Sequence, residues 1–196
     1  LYVTGNNLTG PIPSELGQAM KDSVLGSFSS YENEILLADN FLSGAIPSEI
    51  GRCTDLSYFI VPNNLLTGTL PSELGLLANV FNFEIYSNAL SGSLPSEVGN
   101  IGPQVFYADR NLISGVLPTE IGLMDGIELL FQKFPTQGLD LSFNLLRGRI
   151  PTELGQLSDL SLLKLEHNRL TGPIPSELGL LDGSTYLPLI QIGLNN

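Results

Sequence analysis

Cysteine and histidine occur once each, at Cys53 and His167, and only eight basic residues stand against twenty acidic ones. A lone thiol excludes an internal disulfide framework. The formal net charge of −12 argues against nucleic acid and against an anionic membrane surface as partners. No apolar run approaches the roughly eighteen residues that cross a bilayer, so this segment is expected to make no membrane contact of its own. Phosphate-binding glycine loops and nucleophile elbows are missing as well, and the glycines that do occur are periodic.

What the chain has in abundance is repetition. A Pro-Ser/Thr-Glu-apolar-Gly segment recurs with its proline at Pro13, Pro47, Pro71, Pro95, Pro118, Pro151 and Pro175, at intervals of 34, 24, 24, 23, 33 and 24 residues. A period in this range signals a solenoid, in which each unit buries its apolar face only against its neighbours. Seven residues before each proline stands an asparagine: Asn6, Asn40, Asn64, Asn88, Asn111, Asn144 and Asn168, with Asn195 opening a truncated eighth copy. Five and three residues before these lie apolar pairs such as Ile35 and Leu37, Phe59 and Val61, or Leu163 and Leu165. Alternation held over so few residues predicts a half-buried strand.

Each recurrent residue has a mechanical use. An inward asparagine carries both donor and acceptor groups, so it can satisfy backbone that a bend removes from the ladder, and stacked copies would form a ladder of their own. Glycine four residues after it tolerates positive φ and close approach of coils, while the proline stops strand pairing. Ser or Thr followed by Glu and an apolar residue suits the first turn of a short helix or 3-10 turn, which the next glycine is expected to end.

The frame apolar-x-x-apolar-x-apolar-x-x-Asn-x-apolar-x-Gly-x-Ile/Leu-Pro, complete from Leu160 to Pro175, resembles the plant-type leucine-rich repeat. The resemblance covers essentially residues 1–196 and implies an α/β repeat solenoid of about eight coils. In that fold a right-handed superhelix carries a parallel sheet on its concave side, a second short strand near the Thr/Ser-Gly segment, and short helices or 3-10 turns on its convex side. The chain starts and stops within repeats, so it reads as one domain of a longer protein, incomplete at both ends. The resemblance further implies a non-catalytic protein or peptide recognition module, the ligand-sensing extracellular region of a receptor-like protein at the cell surface. One alternative is the ectodomain of a membrane receptor-like serine/threonine kinase whose kinase domain lies outside this chain; a cytoplasmic location is the alternative compartment. Another is a solenoid that binds a polymer or surface such as glycan or ice, for which the Thr/Ser row would serve were it not interrupted by Arg147. The sequon Asn7-Leu8-Thr9 offers a glycosylation site if the chain is secreted.

Two units are longer than the rest, with extra residues at 18–34 and 123–138. Ile127, Leu130, Phe131 and Phe134 take amphipathic-helix spacing before Pro135, and Met20, Val24 and Phe28 do so more weakly. A convex-side helix covering core explains them, and a ligand-touching loop is the competing reading. Catalytic chemistry finds no footing. Cys53 occupies the slot of Leu77 and Leu157 in sister units, and His167 lies four coils away, on the order of 19 Å at a strand spacing of about 4.8 Å. No catalytic residue, cofactor or metal ligand set is assigned, and the glutamate row Glu15, Glu49, Glu73, Glu97, Glu120, Glu153 and Glu177 reads as a solvated convex rim, since stacked carboxylates repel rather than converge.

Recognition has better support, because residues between core positions of a parallel sheet project to its other face. An apolar and aromatic zone of Leu36, Tyr58, Ile60, Tyr86 and Tyr107 adjoins a charged one of Glu84, Asp109, Asp140, Lys164 and Glu166. A basic or amphipathic peptide or protein segment fits that combination, with tyrosine as a rigid amphipathic anchor. A co-receptor and a second copy of the chain are further candidate partners.

Overall fold

The computed structural model describes residues 1–21, 33–124, 137–158, 160–181, 189–193 and 195. The helical readings at 18–34 and 123–138 therefore fall largely outside the described residues, although one α-helix, Glu15–Lys21, enters the first of them.

Strands Glu34–Leu36, Tyr58–Ile60, Asn82–Glu84, Val105–Tyr107, Gln137–Asp140, Leu160–Lys164 and Leu189–Gln191 make one seven-stranded sheet whose spatial order follows the chain. Every pairing in it is parallel. The register keeps repeat positions level, so Ile35, Phe59, Phe83, Phe106, Leu139, Leu163 and Ile190 partner one another in turn. Alternation turns this row inward: Phe59 and Phe83 are 0% exposed and Phe106 is 2% exposed. Their rings stack at 5.3 and 5.2 Å between centroids, a contact worth about 1 kcal/mol beyond the area it buries.

Beyond each asparagine the chain makes a second short strand. Thr9–Gly10, Phe41–Gly44 and Leu65–Leu66 form a three-stranded sheet, and Ser91–Ser93, Leu112–Val116, Leu145–Gly148 and Arg169–Leu170 a four-stranded one. The coil turns between the two strands through a residue in the left-handed region. Gly5 fills that place first, followed by Asp39, Asn63, Ser87, Arg110, Phe143 and His167 at φ of 52–56°. This conformation, costly for Phe143 above all, swings the following asparagine inward.

Asn64 illustrates what the asparagine does there. Its Nδ2 donates to Val61 O and Pro62 O of its own coil and to Leu37 O of the coil before, at 3.2, 3.1 and 3.0 Å. Its Oδ1 accepts from the Leu42 N–H of that earlier coil at 3.0 Å. Asn40, Asn88, Asn111, Asn144 and Asn168 repeat the arrangement. The ends differ. Asn6 is exposed and bonds only Val3 O and Thr4 O. The Oδ1 of Asn195 takes the N–H of Asn168 itself, and Asn88 is half-buried.

On the far side run six 3-10 turns among the described residues: Ser48–Arg52, Ser72–Leu76, Ser96–Asn100, Thr119–Leu123, Thr152–Gln156 and Ser176–Leu180. The glycine does not end the turn; Gly51, Gly75, Gly99, Gly122 and Gly155 lie inside it, and the cap follows at Cys53 and its counterparts. Their role is steric. A Cβ on Gly99 would sit 2.1 Å from Glu120 O of the next coil, and Gly51 meets Glu73 O at the same distance.

Candidate recognition surface

The outward face of the seven-stranded sheet collects three parallel rows. Leu36, Ile60, Glu84, Tyr107, Asp140 and Lys164 partner one another across neighbouring strands, and Tyr58 stands in the adjacent row. A third row follows from backbone bonds just past the strands, where Asn63, Ser87, Arg110 and Phe143 N–H groups donate to the carbonyls of Tyr86, Asp109, Ser142 and Glu166. All ten residues singled out from the sequence thus share one face.

They do not share one degree of access. Tyr58 stacks on Phe81 at 6.2 Å, and the ring of Tyr107 covers Gly138, where a Cβ would meet it at 2.9 Å. Asp140, read as an open acidic group, is 6% exposed. Its Oδ1 accepts from Ser142 N–H at 3.0 Å and from Ser142 Oγ at 2.6 Å, while Lys164 Nζ lies 3.1 Å from Oδ2. That carboxylate serves to fix its neighbours, and the charge on offer comes from the residues around it. Lys164 is correspondingly held above the usual lysine range, first by its bond to Asp140.

Asp109 is the electrostatic centre. Burial, and after it the Asp140 carboxylate, push its pKa up to about 6, with Arg110 Nε only loosely opposing at 3.6 Å. Burial likewise raises Glu84, against an amide bond from Asn82 Nδ2 at 3.1 Å. Tyr86 and Tyr107 are raised by burial first and then by Glu84, so both keep their protons and can donate. One oxygen of Glu166, Oε2, is buried without a hydrogen-bond partner. The face therefore presents tyrosine hydroxyls among carboxylates whose charge is incompletely compensated, which favours a cationic or donor-rich visitor.

A folded-state pKa near 6, above the ordinary 3.8, means the folded chain holds the Asp109 proton more tightly than the unfolded chain. Asp109 therefore costs stability as pH rises from about 4 to about 6, and the cost persists above that window. Asp109→Asn is expected to melt higher than the parent at pH 7.5, with the difference vanishing near pH 4. Thermal melts across that range check it, and a constant offset would count against the assignment.

Rows the sequence reading passed over rim this face. Arg110 Cζ sits 4.8 Å from the Phe143 ring centroid, and Phe143 stacks on His167 at 4.1 Å. Turn-forming Gly5, Asp39, Asn63 and Ser87 at the same position were the signal for this left-handed corner. Cys53 is buried, with Sγ 3.8 Å from Gly17 O, and burial pushes its thiol up, so it packs as an apolar residue.

The Leucine Rich Repeat family model matches residues 136–157 and 159–181. Among solved structures, the plant peptide hormone receptor RGFR1 in complex with RGF2 is similar at 31% identity and a TM-score of 0.67, over 93% of this chain and 30% of that one. The Arabidopsis receptor kinase HAESA, in complex with the peptide hormone IDA and the co-receptor SERK1, is similar at 28% identity and a TM-score of 0.66, over 96% and 33%. The Leptospira interrogans protein LIC12759 is similar at 26% identity and a TM-score of 0.72, over 98% and 42%. No curated protein matches by sequence. The chain spans less than half the length of each of these three structures.

Proposed function

We propose that this chain, which belongs to the leucine-rich-repeat family, is a non-catalytic recognition module that holds a basic or amphipathic peptide on its concave sheet. Its residues Tyr58, Tyr86, Tyr107, Asp109 and Glu166 supply the contacts, with Leu36 and Ile60 as an apolar floor and Glu84, Asp140 and Lys164 setting the charge. The observation that carries this reading is the half-buried Asp109, raised to about 6 beside two tyrosine hydroxyls. A surface already fixed by the coil register binds without first ordering itself, which lowers the entropic cost of association. Two of the similar structures are receptors in complex with a peptide hormone, one of them a receptor kinase. This supports an extracellular, receptor-like setting with a kinase or membrane anchor elsewhere in the protein.

The test is to pan a random peptide library on the chain and measure the recovered peptides against Tyr86→Ala/Tyr107→Ala/Asp109→Ala. Recovered sequences should be basic and apolar, and the triple variant should weaken them at least roughly tenfold, since anchors of this kind exceed about 1 kcal/mol each. Unchanged affinity in that variant, with loss instead in the convex Glu73→Ala/Glu97→Ala variant, would overturn the proposal.

A further inference from the structure

In a chain of net charge −12, three of its eight basic residues lie close in the fold: Arg147 and Arg169 on paired strands of the four-stranded sheet, and Arg149 just past the end of the first of these strands. All three are exposed. Arg147 is register partner to Arg169 on one side and to Val116 on the other, so two like charges face each other across neighbouring strands. Such a pair is unfavourable on its own. Arg149 lies along the next coil, its Cγ 3.0 Å from where a Cβ of Gly172 would stand. The ion pairs among the described residues use Arg110 and Lys164, and none uses these three. Aliphatic side chains interleave with them: Val116 is 57% and Leu112 49% exposed, and Leu145 is half-buried.

We propose that this lateral face docks an acidic protein segment whose carboxylates alternate with aliphatic side chains. Charge complementarity here has a specific geometry. Guanidinium groups pair with carboxylates through two parallel bonds, and all three cations here are arginines. A bare polyanion such as a uronic acid polymer would satisfy the arginines but leave Leu112 and Val116 in water. A protein segment covers both. The face is separate in position and opposite in charge from the concave one, so the inference stands whether or not the concave reading does.

The probe is a fluorescent peptide of alternating glutamate and leucine, titrated onto the whole chain and followed by anisotropy. Its glutamine-for-glutamate counterpart and an oligogalacturonate of equal charge serve as comparisons. The acidic peptide should bind, and both the glutamine peptide and the variant Arg147→Ser/Arg149→Ser/Arg169→Ser should weaken binding roughly tenfold or more. The variant should melt no lower than the parent, because it removes the opposed arginines. The Tyr86→Ala/Tyr107→Ala/Asp109→Ala variant should bind this probe as the parent does. The inference is overturned if the parent ignores the acidic peptide, if the serine variant binds it unchanged, or if the glutamine peptide or the oligogalacturonate binds as tightly.

Discussion

Replacing Gly99 by alanine is expected to cost about 3 kcal/mol or more of stability, for the sake of one methyl group. The added Cβ would lie 2.1 Å from Glu120 O and 2.7 Å from Glu120 C. Both atoms are backbone and belong to the following coil, so no rotamer change relieves the clash. The coils on either side must part instead. In a stack where each unit is stabilised by its neighbours, parting in the middle weakens both halves and should broaden the unfolding transition. Gly179 is the same repeat position, with nothing among the described residues within 4 Å of its would-be Cβ. Gly179→Ala should therefore change stability by less than about 0.5 kcal/mol. Urea denaturation of the two variants decides the matter, and equal midpoints would refute the spacer role.

The second large effect is expected at the asparagine ladder. Asn111 is 5% exposed. Its Nδ2 donates to Ile85 O, Ala108 O and Asp109 O at 3.1, 3.2 and 3.2 Å, and its Oδ1 accepts from Leu90 N–H at 3.0 Å. Asn111→Ala removes all four bonds and strands the Leu90 N–H, while Ile85 O, Ala108 O and Asp109 O keep their bonds from Asn88 Nδ2, Asn144 Nδ2 and Ser87 N–H. At about 1 kcal/mol net for each bond, with an added penalty for the one orphaned amide, the loss should be about 3–5 kcal/mol. Asn6→Ala is the contrast, because Asn6 is exposed and holds only Val3 O and Thr4 O. It should cost less than about 1 kcal/mol. Comparable losses at the two positions would mean that the ladder does not work by stitching each coil to the one before.

Much of this architecture was legible in the sequence because one physical constraint acts on the same letter in every coil. The apolar rows at Ile35, Phe59, Phe83 and Phe106 and the asparagines from Asn40 to Asn168 fill equivalent places with the same set of bonds, so periodicity reveals them. The glycine of the convex turn was legible as a glycine but not as a spacer, since its constraint comes from Glu120 and its equivalents one coil later. The left-handed corner was harder to see, because Arg110, Phe143 and His167 fill a position where glycine or asparagine would signal the turn. At the candidate site the sequence identified which side chains face outward, since strand alternation decides that. It did not reveal that Asp140 is sequestered by Ser142 and Lys164, or that Tyr107 lies over Gly138, because those contacts cross between coils and depend on side-chain reach.

Stability and recognition pull apart on the two faces. The rows that hold the coils together barely vary, whereas the outward rows carry groups that lower stability, such as a half-buried Asp109 and the opposed Arg147 and Arg169. In the two proposals made above, groups of this kind would be compensated by the partner's opposite charge, which would tie the unfavourable electrostatics of the free chain to binding.

Hydrogen–deuterium exchange with and without a basic peptide recovered from the library tests the concave-face account most directly. Protection should appear in Tyr58–Ile60, Asn82–Glu84 and Val105–Tyr107 and in the residues just after them through Asp109. Protection confined to the 3-10 turns Ser72–Leu76 and Ser96–Asn100, with those strands unchanged, would contradict it.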